Sequence, residues 1–155
     1  MKSLKTILIV FLLLQTAVSF GQTKEETIAW IKDKLSNSTK FIEVDGDAAA
    51  RINFAIKKID ECSIVITYKY GSNSGSGGIN DYEQTLPIKD VNINEKGRLT
   101  YSSEVVVDKN ISKGKYSFIK ASEFEIVETE PDLRNRVLKA LKHLATFCEK
   151  KKETF

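Results

Sequence analysis

Near its end the chain places Leu133, Val137, Ala140, Leu141, Leu144 and Cys148 on one stripe at helical spacing, with Arg136, Lys139, Lys142 and Glu149 off it. A helix over 131–148 with such a face needs a partner, because most helical stability in a folded protein comes from covering the apolar stripe. The residues before it offer mainly short segments with the two-residue alternation of strands. The pairing predicts an α+β domain: an antiparallel sheet or partly open barrel of about seven strands with this helix laid against it. A length of 155 residues fits one domain, and 41% apolar residues suffices for a core.

Thr23 followed by Glu26 has the spacing of a capping box, and Ile28, Ile31 and Leu35 then keep helical period, which predicts a first helix over 24–35 with Trp30 on its flank. Such a tryptophan either packs against the domain or serves as a ligand platform. Strands are expected at 41–44, 51–58, 62–70, 82–86, 88–93, 98–107, 115–120 and 123–128. The segment 48–59 fits a helix as well as a strand, and the strand is preferred because Asp60-Glu61 then links directly to the next one. Asp45-Gly46-Asp47 reads as a turn, since Ala48, Ala49 and Ala50 cannot supply the further oxygens of a calcium loop. The run Gly71 to Gly78 contains only glycine, serine and asparagine, which predicts an exposed loop. It lacks the lysine of a P-loop. Asn94-Glu95-Lys96-Gly97 and Lys113-Gly114 read as hairpin turns, and Pro87 as a strand end. Glu123 and Glu125 alternate with Phe124 and Ile126, as on a sheet with one wet side. Pro131 suits a helical first turn, with Glu128, Glu130 and Asp132 at the positive end of the dipole and Lys150, Lys151 and Lys152 at the other.

The first 21 residues stand apart. Lys2 and Lys5 precede an unbroken apolar run at 7–14, and small residues follow at Ala17, Ser19 and Gly21, the layout of a cleaved secretory signal. The run is shorter than the roughly 20 residues of a membrane span. Removing it leaves a single domain over 22–155 with 22 of the 24 basic residues against 21 acidic ones, a near-neutral balance that argues for no nucleic acid. Export, periplasmic or secreted, places Cys62 and Cys148 in an oxidising setting. Cys62 leads a strand whose positions 64, 66, 68 and 70 are apolar or aromatic on the same face, and Cys148 lies on the helical stripe. A disulfide between them is the expected use; two separately buried thiols are the other. If formed, it closes a loop of 87 residues, 62 through 148, and stabilises by on the order of 4 kcal/mol.

No constellation for catalysis stands out. The single histidine, His143, lies off the stripe that holds Cys148, and one histidine with two bridged cysteines supplies no zinc site. No nucleophile elbow, metalloprotease helix or dinucleotide fingerprint occurs, and the carboxylate pairs Asp60-Glu61, Glu123 with Glu125 and Glu128 with Glu130 sit among lysines. No catalytic residue, metal or cofactor is therefore expected. Tyr68 and Tyr70 end one strand and Tyr82 begins the next, so the three should gather beside the glycine-serine loop, either as the rim of a ligand site or as cross-strand packing.

The ending Ser19-Phe20-Gly21-Gln22 and the segments Arg136 to Leu144 and Tyr82 to Ile93 resemble those of small exported proteins of Bacteroidota-type bacteria. The order of a helix, short antiparallel strands and a closing amphipathic helix resembles a pleckstrin-homology-like domain, with a lipocalin-like or curved-sheet α+β fold as the structural alternative. The resemblance implies a scaffold for protein or lipid binding, carries no site residues across, and a phosphoinositide site would be out of place outside the cytoplasm. The expectation is a non-enzymatic envelope or secreted module that binds a protein or peptide by a sheet edge or the loop end. A carrier of a small apolar ligand in the barrel interior is the alternative, and a carboxylate-based hydrolase the remote third.

Overall fold

Thr23 opens the first helix by accepting a hydrogen bond from the Glu26 amide at 3.2 Å while the Glu26 carboxylate accepts from the Thr23 amide at 2.9 Å. Two of the four free amides at the helix start are thus satisfied reciprocally. In the computed structural model, which describes residues 23–42, 50–71 and 78–150 (backbone only at 149 and 150), this helix, α1, spans Lys24–Asn37. Nine strands follow, β1 (Thr39–Phe41), β2 (Ala50–Ile59), β3 (Ser63–Gly71), β4 (Ile79–Pro87), β5 (Asn92–Ile93), β6 (Arg98–Thr100), β7 (Val106–Asn110), β8 (Lys115–Ile119) and β9 (Ala121–Ile126), and then α2 (Leu133–Lys150). The signal-like segment, the turn at 45–47, most of the glycine-serine run and the basic tail lie outside the described residues.

The expected α+β class holds: in place of about seven strands, nine form two antiparallel sheets, ordered β1-β9-β6-β5 and β2-β3-β4-β7-β8, and among the described residues they make no closed barrel. The sheets face one another through aromatic side chains. Phe41 and Phe124 from the smaller meet Phe54 and Tyr68 from the larger, with ring centroids 5.3 Å apart for Phe54 and Phe124 and 5.6 Å for Phe41 and Tyr68. Ile64, Ile66, Leu86 and Val106 extend this core from the larger sheet. Segment 51–58 is a strand, as preferred, and carries two irregularities in its register with β3.

Two expected strands break. The run 98–107 divides into β6 and β7, which belong to different sheets. Tyr101 starts the crossing: its amide donates to the Lys120 carbonyl and its hydroxyl to the Pro87 carbonyl at 2.7 Å, and the polar Ser102, Ser103 and Glu104 are exposed. The run 88–93 keeps only β5, because Ile88 and Val91 bury in the core across a turn with Asp90 at φ 59°.

On α2 the predicted stripe is the buried one, with Leu133, Val137, Leu141 and Leu144 fully covered. The helix begins two residues later than expected. Pro131 lies in the preceding turn, and Asp132 adopts φ 58°. Glu128 and Glu130 do more than complement the dipole: Glu128 pairs with Arg134 at 3.2 Å, and Glu130 bridges Lys34 of α1 (2.6 Å) and Arg136 of α2 (2.8 Å). The helices pack on each other, α1 against β2 and α2 against β5. Cys62 sits in the turn before β3 and is joined to Cys148, with Cα atoms 5.0 Å apart, so the last turn of α2 is fastened to the β2–β3 connection.

Candidate functional site

Pairing register decides what the tyrosines do. Tyr68 stands opposite Tyr82, Tyr82 opposite Asn110, and Gln84 opposite Asp108, so one face of three adjacent strands collects aromatic and polar side chains together. The rings of Tyr68 and Tyr82 stack at 5.2 Å, and Tyr70 meets Tyr82 edge-on at 6.0 Å. Tyr68 is only 4% exposed. Its hydroxyl donates to Asp108 Oδ1 at 2.7 Å, and the Asn110 amide donates to the Tyr82 hydroxyl at 2.9 Å. The three residues come together at one end of β3 and β4, as both readings expect: their rings pack across the strands, and Tyr68 and Tyr82 also line a groove of about 410 Å³ with Asn53, Lys69, Asp81 and Ile111.

Behind them lies a cluster that joins the two sheets. Gln84, fully buried, accepts from the Glu123 amide at 3.1 Å and donates to Asp108 at 3.5 Å. Arg51 of β2 pairs with Glu123 of β9 at 2.6 Å, and its guanidinium lies 4.9 Å over the Tyr70 ring. Glu123 and Glu125 are therefore not a wet face: they are 19% and 16% exposed, because Arg51 and Lys40 reach over to pair with them. Burial pushes the Asp108 carboxyl up from its usual value, with the charge of Glu123 adding to the effect, and more than offsets the hydrogen bond from Tyr68, the second strongest influence. Burial likewise pushes the Tyr68 phenol up, helped by Asp108. Both carboxylates spend oxygens on partners inside the protein, an arrangement suited to cross-bracing two sheets. Among the described residues no group of three histidine, cysteine or acidic side chains is placed to hold a metal ion.

The outward face and edge of the larger sheet differ in character. Its two edge strands are β2 and β8. β2 is irregular, with Asn53 at φ 60°, and carries Lys57 and Lys58, features that discourage another strand from pairing. β8 pairs with β7 in unbroken register over its five residues and has no positive-φ residue; of the features on β2 it shares only a lysine, Lys115 at its start. Tyr116 and Phe118 share its outward side opposite Lys109 and Val107, and each is 59% exposed, the two most exposed large apolar side chains described. The Lys109 ammonium lies 5.2 Å from the Tyr116 ring centre. Lys113, Lys115 and Lys120 surround the hairpin, while its one carboxylate, Asp108, is turned toward Tyr68. Sequence reasoning took 115–120 for an ordinary strand. Tyr116-Ser117-Phe118 alternates as a core strand does, so nothing in the sequence marks it as an uncovered edge.

His143 is half-buried on α2 beside Phe147, at a ring separation of 5.2 Å. With Arg136, Lys139 and Ala140 it faces Trp30 of α1 across a groove of about 380 Å³. No helix among the described residues is long and apolar enough to cross a membrane. No protein-family model, curated protein or solved structure matches the chain.

Proposed function

We propose that this chain is an exported, non-enzymatic interaction module that takes up an extended acidic segment of a partner protein as a sixth strand along β8. The observation that carries the reading is the exposed pair Tyr116 and Phe118 on an edge strand of unbroken register. Added strands gain affinity from main-chain hydrogen bonds and specificity from alternate side chains, and the two rings supply the apolar contacts. Lys109, Lys113, Lys115 and Lys120 favour acidic residues in the incoming segment and disfavour a second copy of this hairpin, which would bring like charges together. The side chains of Phe41, Phe54, Tyr68 and Phe124 between the sheets support this reading over a carrier with a ligand inside. The disulfide supports export. The helix, strand and helix order supports a pleckstrin-homology-like scaffold.

The probe is a capped peptide alternating glutamate or aspartate with phenylalanine or valine, followed by amide NMR shifts and hydrogen exchange. Perturbed signals and slowed exchange at 115–119 are expected, with affinity reduced at least about tenfold in the Tyr116→Ser/Phe118→Ser variant. Perturbation elsewhere only, equal binding of the lysine-substituted peptide, or dimerisation through β8 in place of peptide binding would each overturn the proposal.

A further inference from the structure

The groove between α1 and α2 lies apart from β8 and has its own chemistry. Its floor is Trp30 of α1 with Ala140 of α2, and its wall is the row Arg136, Lys139 and His143, which recurs at i, i+3 and i+7 and so shares one side of α2. At about 380 Å³ it has room for a ring-sized molecule. Glu130 accepts from Arg136 Nη1 at 2.8 Å and pairs with Lys34 at 2.6 Å, and Lys34 also has Asp33 at 3.9 Å, so these two cations are answered by two acids and the surplus charge is that of Lys139. Lys139 is exposed and pairs with no carboxylate among the described residues. The Arg136 guanidinium stands 5.4 Å and the Lys34 ammonium 6.0 Å from the Trp30 ring centre, and the Arg136 side chain is 41% exposed, so the indole orients a cation that is still open to solvent at the groove.

We infer that this groove binds a small organic carboxylate with a flat apolar body. The carboxylate meets Lys139 and the guanidinium nitrogens of Arg136 left over from Glu130, and the apolar body lies along Trp30 and Ala140. A guanidinium with one side anchored on a fixed acid is preorganised for a second carboxylate, which lowers the ordering cost of binding. A neutral ring of the same shape gains only the apolar contact and leaves the surplus positive charge unanswered. A bare inorganic anion gains only the charge.

Trp30 is the single tryptophan of the chain, so its fluorescence reports this site without a label. The full protein is titrated with benzoate, with benzamide as the neutral isostere and chloride at matched ionic strength as the simple-anion arm. Saturable quenching or shift of Trp30 emission by benzoate, with a Kd below about 10 mM, is expected, along with at least about fivefold weaker binding in Lys139→Gln. Lys139 is exposed, so its replacement leaves the fold intact, and an unchanged melting temperature checks this. Arg136→Lys keeps the charge but loses the planar fork and should weaken benzoate more than chloride. Absence of saturation, benzamide binding as tightly as benzoate, or a Lys139→Gln affinity equal to the parent's would each overturn the inference.

Discussion

Replacing both cysteines by alanine isolates what the Cys62–Cys148 bond contributes. The bond joins residues 86 apart in sequence. A loop of roughly that size removes about 15 cal/mol/K of chain entropy from the unfolded state, worth about 4.6 kcal/mol at 25 °C. Both residues are only half-buried, so truncation of the side chains themselves adds little. With an unfolding entropy of about 2.1 cal/mol/K per residue over roughly 130 residues, the melting temperature should fall by on the order of 15 °C. Guanidinium unfolding of oxidised parent and double variant should show the same loss. The variant should also have a steeper denaturant slope, because an uncrosslinked chain exposes more surface when unfolded. Hydrogen exchange separates this from a purely local effect. A bond that acts on the unfolded chain lowers protection throughout the core, Ile64 and Phe124 included. A global loss below about 1 kcal/mol, with faster exchange confined to the last turn of α2, would refute the reasoning.

Gly97→Ala should cost about 3 kcal/mol, read as a guanidinium midpoint shift. Gly97 has φ 91°, and an added Cβ would lie 2.3 Å from the Ile126 carbonyl and 2.9 Å from Arg134 Nε. Asp108 and Asp60 should pull stability in opposite directions with pH. Asp108 holds its proton more tightly folded than unfolded, so its contribution is present below about pH 4 and lost as pH rises through its raised folded value. Asp108→Asn keeps an acceptor for Tyr68 and should flatten that decline in a stability-versus-pH series. At Asp60 burial is outweighed by bonds from Lys58 and from the Cys62 and Ser63 amides, which hold the carboxyl at about 2. Its stabilisation is present above about pH 4 and lost as pH falls toward 2, and Asp60→Asn should remove that acid sensitivity.

Much of the fold was legible because it depends on local spacing. The capping box at Thr23 and Glu26, the buried stripe Leu133, Val137, Leu141 and Leu144, the inward run Ile64, Ile66 and Tyr68, and the turn at Asn94 to Gly97 follow from periodicities of 3.6 and 2 and from turn chemistry. The cysteine pairing was legible for a related reason, since both residues sat on faces already aimed at one interior. Tertiary structure alone decided how the strands divide between two sheets, because alternation names a face without naming a neighbour. Strand division then set the rest. It sent β6 and β7 to different sheets, brought Arg51 over Glu123, and turned an apparently wet acid into an inter-sheet tie. It also left β8 with no strand beyond it among the described residues, so that Tyr116 and Phe118, which alternate like any core strand, face water. Trp30 and the row Arg136, Lys139 and His143 were visible singly in the sequence, but the groove between them exists only because two helices 95 residues apart pack side by side.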